Sequence, residues 1–262
     1  MSLSLTPGVA LLVCISIFCV THLEAKTLKF KARAGEVDYK TLNSHDATEH
    51  KDCGSLLRAG YNVSGVYRLT LNKSHVMMPC EFKDGNAFTV ILRRVNHSVT
   101  FAQPWSAYEG GFGDPQGNFW AGLANIFHLT NSGSPTGLQI NMQDWDGVNQ
   151  NVLYRHFLLD NRETRYRLYV GGYQGSLADD LQYHNQMPFS TYDAPDPHGC
   201  AANMYAGFWY NYCAYSLPTG RYYNTPYYTP TGSMYNGIFY KDWHNYNYSL
   251  KYVSWTISSY MN

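Results

Sequence analysis

Four cysteines constrain this chain more than any other feature: Cys53, Cys80, Cys200 and Cys213. The last two bracket the aromatic run Phe208-Trp209-Tyr210-Asn211-Tyr212. Two further cysteines, Cys14 and Cys19, sit in an apolar run from Val9 to Val20, followed by His22-Leu23-Glu24-Ala25. That run is too short for a stable membrane span and reads as a secretory signal peptide over residues 1–25. Cleavage would leave an even number of cysteines in an oxidising compartment, which implies two disulfides. Four cysteines allow three connectivities, and spacing alone does not choose among them. Pairing of sequence neighbours would close two local loops, each contributing roughly 3 to 4 kcal/mol in the chain-entropy description.

An extracellular setting agrees with four acceptor motifs for N-glycosylation, at Asn62, Asn72, Asn96 and Asn247. Any of them that carries a glycan must lie on the surface. Lys plus Arg and Asp plus Glu each number 19, so the chain lacks the basic excess that nucleic-acid binding requires. Tyrosine is abundant, at 24 residues. Its apolar face and hydroxyl tip suit polar recognition surfaces, although aromatics also fill strands.

Residues 26–50 are polar and aperiodic and read as a flexible lead, followed by one domain over 51–262. Alternation predicts strands at 64–71, 87–94, 137–144, 152–159, 164–170 and 248–257. A looped or helical piece is expected at 101–113, and helical spacing at 119–129 stops at Asn131-Ser132-Gly133. From Gly171 to about Gly237 the chain is dense in Gly, Pro, Asn and Tyr and reads as loops. The class is therefore α+β, with loops gathered in the second half.

Enzyme signatures are missing from the sequence: there is no Gly-x-Ser-x-Gly elbow and no His-Glu-x-x-His helix. The turn Gly110-Gly111-Phe112-Gly113 lacks the context of a nucleotide site and reads as a packing turn. His45 and His50 fall in the lead. The acid pairs Asp144/Asp146 and Asp179/Asp180 read as solvated or salt-bridged, and the chain reads as a non-enzyme.

Taken in order, Asp52-Cys53, Ser64-Gly65-Val66-Tyr67, Pro79-Cys80-Glu81-Phe82, Thr89 to Arg94, Gly111-Phe112-Gly113, Phe119 to Ile126, Asp144-Trp145, Phe189-Ser190-Thr191, Cys200-Ala201, Phe208 to Cys213, Gly237-Ile238 and Tyr248 to Lys251 resemble the fibrinogen C-terminal domain of ficolins, tachylectins and angiopoietins. The resemblance covers residues 51–262. It implies a fibrinogen C-terminal-like globular domain with a central twisted antiparallel sheet, short helices and a loop-rich ligand-binding subdomain. It also implies nearest-neighbour disulfides, Cys53 with Cys80 and Cys200 with Cys213.

In lectin-like members the loop-rich part holds calcium beside a pocket for acetylated sugars, with a cis peptide before the third cysteine. Carried onto this chain, Asp193 and Asp196 would supply carboxylates and His198 a backbone carbonyl to Ca2+. Phe208, Tyr210, Tyr222, Tyr223, Tyr227 and Tyr235 would wall the ligand site. The loop from Asp193 to Cys200 is shorter than the family's. Gly199 precedes Cys200 where lectin members often place Asn or Arg, and Ala214 follows Cys213 where many place His. The leading expectation is a secreted lectin-like binder of acetylated glycans, such as those of microbial surfaces. The alternative is an extracellular ligand that binds a receptor or matrix protein without sugar-binding activity, and a structural matrix role ranks third. Neither collagen triplets nor heptads are present, so any homo-oligomer would form through the domain itself.

Overall fold

The structure, a computed structural model, describes residues 49–259 except 231 and 233. The expected signal peptide, and the lead up to residue 48, lie outside the described residues. The chain begins at α1 (Cys53–Arg58), where the Asp52 carboxylate accepts from the Ser55 backbone and the Ser55 hydroxyl accepts from the Asp52 N–H, a capping box. His50 belongs to the domain and not to a loose lead: it is buried, with its ring edge-on to Tyr61 and its carbonyl accepting from Thr70.

Strands β1 (Gly65–Leu71), β2 (Ser74–Lys83) and β3 (Asn86–Arg94) form an antiparallel meander. Two-residue turns join them, at Asn72-Lys73 and Asp84-Gly85, all four with positive φ. Such turns match the right-handed twist of the flanking strands. Next come α2 (Trp105–Gly110), the short strands β4 (Phe112–Gly113) and β5 (Phe119–Trp120), and α3 (Leu123–Thr130). The helix expected over 119–129 is thus split. Gly122 has φ +94°, and a Cβ there would lie 2.7 Å from the Gly110 carbonyl carbon. The close approach of the two loops imposes that conformation, so the helix begins only at Leu123.

Strands β6 (Gly137–Gln143), β7 (Asn149–Leu159) and β8 (Leu168–Gly175) form a second meander. Loops then run through α4 (Cys200–Met204), the two-residue pair β9 (Ser216–Leu217) and β10 (Phe239–Tyr240), and α5 (Lys241–His244). The final strand, β11 (Tyr252–Ser258), pairs with β3 on one side and β6 on the other. It completes one sheet of order β1-β2-β3-β11-β6-β7-β8, with β5 also paired to β3 and β4 to β5. Cys53 is bonded to Cys80 and Cys200 to Cys213.

One hydrophobic core spans this sheet and the loops packed on it. Trp120, Trp209 and Trp255 are each about 1% exposed, and Trp209 stacks on Trp255 with a 4° interplanar angle. Burial of such large side chains is worth roughly 2 to 3 kcal/mol apiece.

Candidate functional site

The cysteine bracket is built from its own backbone outward. Ser190 and Phe208 exchange both backbone hydrogen bonds, at 2.9 and 3.0 Å, which lays the run after α4 against Phe189-Ser190. That pairing turns the rings inward. Phe208 and Tyr210 are 0% and 3% exposed, and the Tyr210 hydroxyl donates to the Ala206 carbonyl. Neither can wall a ligand site, so the expectation for both is corrected: they pack beneath the surface, Phe208 against Trp209 and Trp255. His184 locks the bracket from below. Its Nδ1–H donates to the Trp209 carbonyl at 2.7 Å, while Nε2 accepts from the Tyr215 and Ser216 backbone N–H groups. Burial pulls the His184 pKa down to about 4, so the ring is neutral at physiological pH.

Before the bracket, the loop from Asp193 to Cys200 is held by its own backbone. The Asp196 carboxylate accepts from three N–H groups, those of His198, Cys200 and Ala201, at 2.9 to 3.0 Å. Asp193 accepts from the Trp105 backbone and the Thr191 hydroxyl. The Arg165 guanidinium donates to the carbonyls of Ala194 and Pro195. The His198 ring meets Tyr212 edge-on. Peptide bonds in the described residues are all trans, including Gly199–Cys200.

Of the six expected ligand walls, Tyr222 and Tyr223 are brought together, on a cavity of about 650 Å3. Tyr227 lies edge-on to Tyr248, and Tyr235 is edge-on to Tyr228 and stacked on Tyr246, so both stand outside it. Val99 and Phe101 supply apolar wall, and Tyr205, 55% exposed, stands at the rim. Asn236, buried, accepts the Tyr223 hydroxyl at 2.9 Å. Two arginines that sequence reasoning did not select also line the cavity. Arg94, at the end of β3, is 1% exposed and lies 3.9 Å above the Phe101 ring. Arg221 is exposed and sits over the Tyr223 ring at 5.4 Å. Burial pulls the Arg94 pKa down to about 9, which leaves the guanidinium charged at physiological pH. Burial also raises the Tyr222 hydroxyl, and the Arg94 charge works against that rise. One signal in the sequence could have flagged Arg94: it shares strand parity with Val90 and Leu92, both fully buried.

A family model of the fibrinogen beta and gamma chains' C-terminal globular domain matches residues 49–260. The chain belongs to this family. Bovine angiopoietin-related protein 7 is 34% identical over 250 residues, covering 91% of this chain and 71% of the relative. The human protein of that name is 36% identical over 227 residues, or 83% of this chain and 64% of the relative's length. The chain thus spans about two thirds of the length of these curated relatives. Among solved structures, the fibrinogen-like globe domain of human ANGPTL6 superposes with a TM-score of 0.77 at 32% identity, covering 82% of this chain and 97% of that one. Lamprey fibrin D-dimer, complexed with the peptide Gly-His-Arg-Pro-amide, gives 0.78 at 28% identity, covering 87% and 80%.

Within this fibrinogen-type domain the expected calcium donors do not fit the ion. Calcium takes six to eight oxygens converging on one point. Here the Asp196 oxygens are already faced by three N–H donors, and Arg165 occupies two loop carbonyls with its own positive charge. Among the described residues no cluster of three or more His, Cys, Asp or Glu side chains is placed to hold a metal. Asn62, Asn72, Asn96 and Asn247 are all solvent-exposed. No helix among the described residues is long and apolar enough to cross a membrane.

Proposed function

We propose that this fibrinogen-type domain is an extracellular, non-enzymatic recognition module that binds a partner protein rather than an acetylated glycan. The observation that carries this reading is the tyrosine surface around the cavity. Tyr205 stands at its rim, and Tyr223 stacks on Tyr228, which meets Tyr235, 41% exposed. Tyrosine and arginine together are the residues that protein-binding surfaces concentrate. Two disulfides fit an oxidising, secreted setting. Similarity to angiopoietin-related proteins supports a ligand of this kind. Against the sugar reading stand the burial of Phe208 and Tyr210, and a loop whose oxygens are engaged by protein donors. An oligomer, if the module needs avidity, would assemble through the domain itself.

Binding of the labelled domain to intact cells provides the test. Trypsin treatment of the cells should abolish it and Tyr205→Ser should weaken it, while N-acetylglucosamine and a chelator should leave it unchanged. Release of the bound domain by the free sugar would restore the lectin reading.

A further inference from the structure

The cavity holds a buried cation with no anion. Both side-chain hydrogen bonds of Arg94 among the described residues come from Nη1, to the carbonyls of Pro218 and Gly220 at 3.0 and 2.6 Å. Its Nε is buried and makes none. Arg221 contributes a second positive charge at the mouth, and neither arginine has a carboxylate within ion-pair distance among the described residues. Among the described residues no Asp or Glu lines the cavity. A buried charge left unpaired is costly, and such an arrangement persists where something supplies the missing partner.

From this geometry we infer that the cavity receives an acidic side chain of a partner's peptide segment, its carboxylate docking on the exposed guanidinium of Arg221 under the attraction of the buried Arg94 charge and its apolar neighbour lying against Val99, Phe101 and Tyr222. A planar carboxylate matches the side-on edge of a guanidinium with two parallel hydrogen bonds, which a neutral amide cannot reproduce. Apolar walls select a peptide with a hydrophobic flank over a bare polyol, which would leave its hydroxyls unpaired. The sign of the charge also sets this site apart from recognition of a cationic peptide such as Gly-His-Arg-Pro-amide, for which the cavity offers no acid. The inference rests on the protein-recognition reading for the ligand's source, while its chemistry can be tested without any partner.

The experiment uses the folded domain labelled with nitrogen-15 and two capped peptides, acetyl-Gly-Phe-Glu-Gly-amide and its Gln counterpart. Expected are shifts of the Val99 and Phe101 amide resonances with the Glu peptide, which should bind about tenfold more tightly than the Gln peptide. The exposed variant Arg221→Glu should remove most of that preference, and Arg221→Lys, which keeps a charge but loses the fork, should weaken the Glu peptide by a smaller factor. Equal binding of the two peptides, or no binding of either, overturns the inference, as does a preference that survives Arg221→Glu. A site that takes free benzoate yet refuses the peptide also overturns it. Peptide preference without protease-sensitive cell binding would sink the protein-recognition reading and leave this one standing.

Discussion

Asp196→Ala separates a structural carboxylate from a calcium ligand. The substitution removes the acceptor for three N–H groups, two of which belong to the fully buried residues Cys200 and Ala201. A buried donor left without a partner costs about 1 to 3 kcal/mol. Taking two stranded donors at about 1.5 kcal/mol each, and nothing for the exposed His198, whose N–H water can reach, the loss should be about 3 kcal/mol. For a domain of this size that corresponds to a fall in Tm of about 6 to 12 °C. Urea and thermal unfolding of the oxidised protein, in chelator and in calcium, would measure it. The same loss is expected in both conditions, with Asp196→Asn, which keeps one acceptor oxygen, losing about half as much. The wild type should unfold at the same temperature with and without calcium. The assay has the reach to fail: a site filled to 100 times its Kd would add about 2.7 kcal/mol. A wild-type Tm that rises by several degrees with calcium, and no longer does so in Asp196→Ala, would refute the reasoning.

Acid should unlock the bracket through His184. Its folded pKa lies at about 4, below the unfolded value near 6.5, so its contribution is complete above about 6.5 and is lost as pH falls toward 4. At roughly 1.4 kcal/mol per unit this amounts to about 3 kcal/mol, to be read as the difference in pH-dependent stability between the wild type and His184→Gln. Replacing Cys200 and Cys213 together by Ala should cost about 3 kcal/mol, and replacing Cys53 and Cys80 about 3.5, by denaturant midpoint, since the closed spans are 13 and 27 residues. Gly220→Ala would place a Cβ 2.1 Å from the Gly237 carbonyl oxygen. Backbone must then move, at a cost of about 3 kcal/mol in urea unfolding, and the Arg94 Nε–H resonance should shift because Gly220 carries one of its two acceptors.

The strands legible in the sequence were those whose alternation is unbroken. β1, β3 and β6 match their expected spans to within a residue or so, because period-two burial follows directly from the pleat. Strand β2 escaped because Met77-Met78-Pro79-Cys80 shows no alternation and contains a proline. Pro79 pairs with Val66 of β1 and lies just before β3 begins to pair at Cys80. The run expected at 164–170 forms later, as β8, because Arg165 and Tyr166 adopt positive φ. At the site, residue types were readable and their orientation was not. Which rings of the bracket face water depends on Trp120 and Trp255, far away in sequence, against which Phe189, Trp209 and Phe208 pack. Arg94 ends the strand expected at 87–94; only the packing of Phe101 over it and the Pro218 and Gly220 carbonyls beneath make it a buried charge.

The central position of β11 bears on how the protein is made. The two meanders, β1-β2-β3 and β6-β7-β8, are joined in the sheet only through this last strand. A ribosome must therefore release residue 258 before either half has its neighbour. Until then, the β3 and β6 edges are open and Trp255 is missing from beneath the bracket. Nascent chains in that interval are the ones exposed to edge-to-edge association, and folding is governed by a contact of very high sequence separation. A stop codon before residue 252 would remove the one element that makes the two halves a single sheet.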